Sequence, residues 1–532
     1  MARMPSVMGH SFAQVPQAHI QRSRFDRSRG YKTSFDSGYL IPVFVDEVVP
    51  GDTFSVNMTG FCRLSTPLRP FMDNLFLNSF WFFIPLRLLW DHFQRFMGEQ
   101  DNPGDSTDFT IPQMVSTAVS GYGEQSLFDY MALPTKIPGF THSALFPRAY
   151  NLVWNQWFRD QNLQSSAVVN KGDGPDSPTD YVLLRRGKRH DYFTSALPWP
   201  QKGPSVSIPL GTQAPVSGLL FQAPATGALN VGAAFGVTTA FDRAAGTENI
   251  FPGSFLGVSA QSAGAAGSSN RPVVYADLSS ATASTINQLR TAFAIQQLLE
   301  TDARGGTRYV EILRAHFGVV SPDARLQRAE YLGGGQGVIN VHQVAQTNAS
   351  ASGSTPQGNL AAYATAAVSG HGFSKSFVEH GIVLGLVSVR ADLNYQQGLH
   401  KMWSRRTKQD FLWPTFANLG EQAVLNQEIY CQGTSADLAV FGYQERYAEY
   451  RFAPNVITGK LRSNAAQPLD TWHLAQNFSS LPTLSGTFIV DNPPIPRVVA
   501  VPSEPQFIGD FFIQCNTARP LPVYGVPGMT RL

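Results

Sequence analysis

The side chains of this 532-residue chain that could do chemistry gather in a few short stretches. Asp46 and Glu47 are adjacent in "GYLIPVFVDEVVPGDTF" (38–54), and paired carboxylates are the usual apparatus of general acid–base catalysis. Val43, Phe44, Val45, Val48 and Val49 around them suit a pleated strand, which Pro-Gly-Asp then ends in a tight turn. Neighbours on a strand point to opposite faces, so these two carboxylates do not meet one substrate. "GHGFSKSFVEH" (370–380) holds His371 and His380 with Glu379, but supplies no third ligand at a useful spacing for a metal. "YLGGGQGV" (331–338) follows no clear strand and lacks the G-x-G-x-x-G spacing of a dinucleotide loop, so it reads as a turn. The chain has no phosphate-loop, H-E-x-x-H or G-x-S-x-G pattern. These observations point to a protein that is not an enzyme, with no metal and no cofactor.

What remains is cationic. "RRGKRHDY" (185–192) carries Arg185, Arg186, Lys188 and Arg189, and "WSRRTKQDFLW" (403–413) carries Arg405 and Arg406. The first 37 residues add Arg22, Arg24, Arg27 and Arg29 in an arm-like polar segment. Arginine beside tryptophan or tyrosine binds single-stranded nucleic acid through phosphate contact and base stacking. The same residues serve equally for ion pairs and cation–π contacts between subunits. A net charge of +2 excludes a strongly basic nucleic-acid binder and leaves only local patches.

The elements that must position these groups are mostly short strands. "TFSVNMTGF" (53–61) alternates as a half-buried strand, and "DNLFLNSFWFFI" (73–84) ends fully apolar, as a central strand does. Helical spacing follows in "PLRLLWDHFQRFMG" (85–98), with Leu89, Phe93 and Phe96 on one side. It recurs in "AYNLVWNQWFRDQNL" (149–163), with Trp154, Trp157 and Phe158. The strongest helical signal is 284–318, where Ile286, Leu289, Phe293, Leu298 and Leu299 form an apolar side; Gly305-Gly306 breaks it before a second helix. Residues 204–281 are rich in Ala, Gly, Ser and Thr and nearly free of charge, the composition of a projecting insertion. Strand-like runs return at 377–393, 437–444, 484–492 and 505–522. Strands at both ends with helices and loops between predict an eight-stranded antiparallel jelly-roll sandwich carrying long helical and loop insertions. The organisation expected is an arm (1–37), first strands with helical insertions (38–203), the exposed insertion (204–281), and helices with the remaining strands (282–532).

Composition adds a constraint. Charged residues are 15% of the chain and aromatics 12%, whereas soluble proteins average about 25% charged. A monomer of this size needs charged surface, so the shortage predicts an exterior covered by other subunits. Cys62, Cys431 and Cys515 are odd in number and far apart, which supports no disulfide framework and fits a reducing compartment. The start "MARMPSVMGHSFAQVP" has no apolar core of signal-peptide length. The most apolar stretch, "LFLNSFWFFIPLRLLW" (75–90), is too short to span a bilayer and is broken by Asn78, Pro85 and Arg87, so no membrane insertion is expected.

Seven blocks carry a resemblance. "FDRSRGYKTSFDSGYLIPVFVDEVVPGDTF" (25–54), "MDNLFLNSFWFFIPLRLLWDHFQRFMGEQ" (72–100), "YNLVWNQWFRDQNL" (150–163), "LLRRGKRHDYFTSALPWPQKG" (183–203), "SPDARLQRAEYLGGG" (321–335), "ERYAEYRFAPNVITGKLR" (445–462) and "RPLPVYGVPG" (519–528) resemble the major capsid protein of gokushoviruses, small single-stranded DNA phages of the microvirus family. The chain departs from the pattern at Ala329, where proline is expected, and in its final "MTRL". The resemblance implies a jelly-roll subunit of a sixty-copy T=1 icosahedral shell around circular single-stranded DNA. It implies an insertion forming three-fold protrusions that meet a bacterial surface receptor. It also implies a small basic DNA-binding phage protein and a scaffolding protein as partners, and residence in the virion after assembly in the host cytoplasm. The rival readings are a jelly-roll carbohydrate-binding or carbohydrate-active protein, which needs a cleft with paired carboxylates or exposed stacking rings, and a non-specific nucleic-acid binder, which needs far more positive charge.

Overall fold

The computed structural model describes residues 21–207, 286–348 and 357–524, with short strand pairs inside 216–276. The chain divides into two compact units, one of residues 1–200 with 302–532 and one of residues 201–301. Most of the projecting insertion expected over 204–281, and the "MTRL" tail, lie outside the described residues.

The first unit is built on nine strands: β1 (Ser23–Asp26), β2 (Arg29–Phe35), β3 (Ile41–Val48), β4 (Thr53–Leu64), β5 (Leu75–Pro85), β6 (Glu330–Ala345), β7 (Leu360–Ser376), β8 (Gly381–Ala391) and β9 (Phe507–Arg519). Their hydrogen-bonded order is β1–β9–β4–β7–β6–β5–β8–β3, with β2 also pairing β9, and every pairing is antiparallel. β1 and β2 occupy successive stretches of one edge of β9, so nine strands fill eight positions. The sheet curls until its two halves face each other. Phe54 of β4 meets Phe377 edge-on at 5.7 Å, and Trp81 of β5 packs on Phe373 of β7 at 5.8 Å and on Phe44 of β3 at 5.5 Å. The residues from both halves form one buried cluster between them. This is the jelly-roll sandwich that the strand pattern predicts.

Alternation in the sequence reports how many faces each strand buries. β4 and β9 alternate buried and exposed residues along nearly their whole length, so only their inner face is covered. β5 and β8 are buried on almost every residue, because a second apolar layer covers their outer face. That layer includes α1 (Leu145–Val153), Trp90, Phe128 and Tyr150. Within it Arg148 and Asp176, both buried, pair through two hydrogen bonds of 2.8 and 2.6 Å.

Local expectations fail where tertiary contacts override spacing. Over 85–98 the chain forms only a turn at Leu86–Leu88 and a four-residue helix at Phe93–Phe96. Between them Trp90 Nε1 donates to Asp173 at 2.7 Å and His92 lies 2.8 Å from the same carboxylate, which holds the backbone out of a continuous helix. The helix expected from 149 starts earlier, as α1, and runs into a π-turn at Trp154–Phe158. The glycine-rich "YLGGGQGV" is strand interior in β6. A Cβ on Gly334 would meet the Ser79 carbonyl and one on Gly335 the His371 ring, so glycine is what lets β6 pack this closely. Residues 23–35, part of the expected arm, are strands on the sheet edge.

α2 (Ile286–Arg304) and α3 (Tyr309–Phe317) match the strongest helical signal, and Gly318 ends α3 in a left-handed conformation. Ile286, Phe293 and Leu298 on α2 are nevertheless exposed. Among the described residues no helix is long and apolar enough to cross a membrane.

Candidate functional site

The carboxylates and histidines that first suggest chemistry are dispersed. Asp46 is buried and accepts from Arg27 at 2.7 Å, while Glu47 is exposed. His371 sits 2.9 Å from Ser79 Oγ inside the sheet, and His380 packs edge-on against Phe93. Among the described residues no three His, Cys, Asp or Glu side chains are grouped to hold a metal. Cys62 and Cys515 are buried in the sandwich core and Cys431 is exposed.

The cationic residues separate into three places. Arg22, Arg24, Arg27 and Arg29 lie along the β1–β2 edge, where Arg22 donates to Thr53 Oγ1 at 2.8 Å and Arg29 lies over the Phe44 ring while donating to the Val45 carbonyl. Arg24 is exposed on that edge. Arg405 lies over Tyr450 at 4.3 Å and near Glu449, and Arg406 is exposed beside it. The third place is a cleft of about 850 Å³ in the first unit, and it contains Arg186, Lys188 and Arg189. Arg185 is directed elsewhere, onto the Tyr39 ring at 4.1 Å.

Four chain segments and one strand build the cleft. The π-turn that follows α1 presents Trp157 and Phe158 and leads into Arg159 and Asp160. Residues 186–190 form the floor, held to the 489–491 segment by Lys188 N–H to Ile489 C=O at 2.8 Å and Asp491 N–H to Arg186 C=O at 2.9 Å. The α2–α3 junction adds Arg304 and Arg308, and β8 adds Arg390. The sequence flagged Arg186, Lys188 and Arg189 as a run. It gave no signal for Arg159, Arg304, Arg308 or Arg390, which only the fold brings to the same cavity.

Some of these cations are neutralised and some are not. Arg189 pairs with Asp392 at 2.7 Å, Arg304 pairs with Glu421 and Glu445, and Arg308 pairs with Glu311 at 3.1 Å. Among the described residues, Arg159, Arg186, Lys188 and Arg390 have no carboxylate within ion-pair distance, and Nε of Arg159, Arg186, Arg308 and Arg390 has no hydrogen-bond partner. Arg186 is 9% exposed, lies over the Phe80 ring at 5.1 Å and donates one 3.3 Å bond to Asn78. The Lys188 ammonium faces the Phe488 ring at 4.3 Å. Burial first, and then the Arg390 charge, depress Arg186 to about 10; burial brings Lys188 down to about 8. Burial likewise raises Asp491, behind the floor, to about 6 against the pull of Arg186, Lys188 and Arg390. One buried carboxylate thus stands against three buried or half-buried cations.

Ala329 shows why one departure from the family pattern is tolerated. It is fully buried, its N–H donates to Gln156 Oε1 at 2.8 Å, and its carbonyl accepts from Trp157 Nε1 at 3.0 Å. A proline would lose the first of these bonds and keep the second.

Comparison with known proteins agrees across the chain. The family described as "Capsid protein (F protein)" matches residues 13–529. The chain is 50% identical to capsid protein VP1 of Bdellovibrio phage phiMH2K, over 97% of each protein. It is 46% identical to capsid protein VP1 of Chlamydia phage 1, over 100% of this chain and 99% of the relative. It is 35% identical to capsid protein VP1 of Spiroplasma virus 4, over 98% of each. A jelly-roll sandwich with much uncovered apolar surface and no catalytic constellation among its described residues is what a shell-building protein requires, and the chain belongs to the microvirus capsid (F) protein family.

Proposed function

We propose that sixty copies of this chain close into a T=1 icosahedral shell around a circular single-stranded DNA genome. The observation that carries the reading is the exposed apolar surface of the single chain. Phe61, Ile508 and Phe512 stand on the outer face of the sheet, Trp403, Phe411 and Leu419 on one loop, and Phe293 and Phe317 on the two long helices. Patches of this kind mark protein contacts, and closed symmetry supplies identical neighbours to cover them. The β1–β2 edge, with Arg22, Arg24, Arg27 and Arg29, and the Arg185–Arg189 and Arg405–Arg406 runs are the contacts to DNA or to neighbouring subunits. A small basic DNA-binding phage protein shares the interior, a scaffolding protein guides assembly in the host cytoplasm, and the finished protein resides in the virion.

The 204–281 insertion forms the protrusions at the three-fold axes and meets the bacterial receptor. Its sparse charge and the separation of residues 201–301 as a compact unit support that role. Deleting residues 212–268 from the phage gene tests it. Shells of normal sedimentation that no longer attach to host cells are expected. Soluble subunits that form no shells, or shells that attach normally, overturn it.

A further inference from the structure

We propose that the cationic cleft between the π-turn, residues 186–190, the α2–α3 junction and Arg390 is a phosphate site for single-stranded polynucleotide, with Arg159, Arg186, Lys188 and Arg390 as the groups that receive the charge. The proposal rests on the genome-enclosing reading above and assigns the contact to one cavity.

Positive charge exceeds negative charge around the cleft. The carboxylates that face the cleft are already occupied: Asp160 accepts the backbone amides of Asn162 and Leu163 at 2.9 and 3.1 Å, and Glu311 accepts from the Arg308 backbone and guanidinium. Asp392, Glu421 and Glu445 satisfy Arg189 and Arg304. Asp160 and the buried Asp491 offset part of the charge of Arg159, Arg186, Lys188 and Arg390 from beyond ion-pair distance, which leaves a positive excess among the described residues, and holding charge out of water without a close partner is costly. Buried cations gathered in a cleft mark a candidate site for an anionic ligand. Arginine carries a planar fork of donors whose geometry suits phosphate oxygens, and Arg159, Arg186 and Arg390 all line the cleft. About 850 Å³ holds a phosphodiester with its nucleoside, and Trp157 and Phe158 line the wall with aromatic surface. Lys188 and Arg186 are each more than nine-tenths buried, so the site is built into the body of the protein.

Binding of full-length protein to a fluorescent oligo-dT of about 12 nucleotides, followed by anisotropy between about 50 and 200 mM salt, tests the site. Arg159→Gln with Arg390→Gln removes two cations that hold no ion pair among the described residues. Affinity is expected to fall about tenfold, and the slope of log affinity against log salt to flatten by about 1.4, or about 0.7 per lost phosphate contact. Lys136→Gln, at an exposed pair with Glu124, leaves both unchanged. Should the double variant misfold, phenylglyoxal labelling of the wild-type protein gives the answer: bound oligonucleotide protects Arg159 and Arg390. Unchanged affinity, slope and labelling, with wild-type binding intact, overturn the cleft and leave the genome-enclosing reading standing. Absence of wild-type binding at about 50 mM salt overturns both. Displacement by a poly-glutamate of equal charge as effective as by unlabelled oligo-dT overturns the phosphate assignment in favour of an acidic protein segment.

Discussion

The two halves of the sandwich share a core and differ in what lies behind them. Phe82 of β5 and Phe512 of β9 both point away from that core. Phe82 is 1% exposed beneath the aromatic layer of Trp157, Phe158 and Tyr331, while Phe512 is 53% exposed. Strand chemistry alone does not distinguish them. The chain places its apolar insertions over one face of the jelly roll and leaves the other face bare in the single subunit. The covered half also holds the elaborated features: the buried Arg148–Asp176 pair, the π-turn and the cationic cleft.

The largest contrast is expected on truncating the two phenylalanines. Phe82→Ala is expected to cost about 3–5 kcal/mol in urea unfolding of the isolated chain, the range for a large buried aromatic. An equal loss at Phe512→Ala would contradict the contrast between the covered and the bare face. Arg148→Ala tests the covering layer itself, because it strands a buried carboxylate, and costs about 3–5 kcal/mol. Burial pushes Asp176 upward, but hydrogen bonds from Arg148 and Tyr181 prevail and hold it below its usual value. A depressed carboxylate stabilises the fold above its unfolded pKa, near 4, and that contribution disappears as pH falls through and below this range. The wild type therefore loses stability in acid more steeply than Arg148→Ala, and parallel acid limbs in the two unfolding curves contradict the pairing.

A smaller effect separates the cleft from the bare face. Lys188, depressed to about 8 by burial, loses its charge as pH rises from 7 to 9 in the unliganded chain, with Phe488, Asp491 and Asp191 around it. Oligo-dT affinity falls across that interval, and Lys188→Met removes most of the dependence; a fall that persists in the variant excludes Lys188 as its source. The smallest change is at Phe512→Ala, within about 0.5 kcal/mol for the isolated chain. If a neighbour covers that face, thermal disruption of whole particles shifts more than unfolding of the subunit does.

Much of the sandwich is legible in the chain. β3, β4 and β5 announce themselves by β-branched content, by alternation and by an unbroken apolar run, and α2 and α3 by their period and the Gly305-Gly306 break. Glycine in β6 misleads, since its reason is the approach of Ser79 and His371 from elsewhere in the sequence. The helix expected at 85–98 gives way to Asp173, some eighty residues downstream of Trp90. The cleft is the least legible feature. Three of its cations form a visible run, but Arg159, Arg308 and Arg390 are single residues on separate elements, and nothing local marks them as neighbours.

On this account the chain reaches its finished state only among copies of itself, and the mass of purified particles decides whether it does. Sixty subunits of 58.2 kDa predict a protein shell of roughly 3.5 MDa. Particles whose capsid protein sediments as a monomer or small oligomer under the same conditions would contradict it.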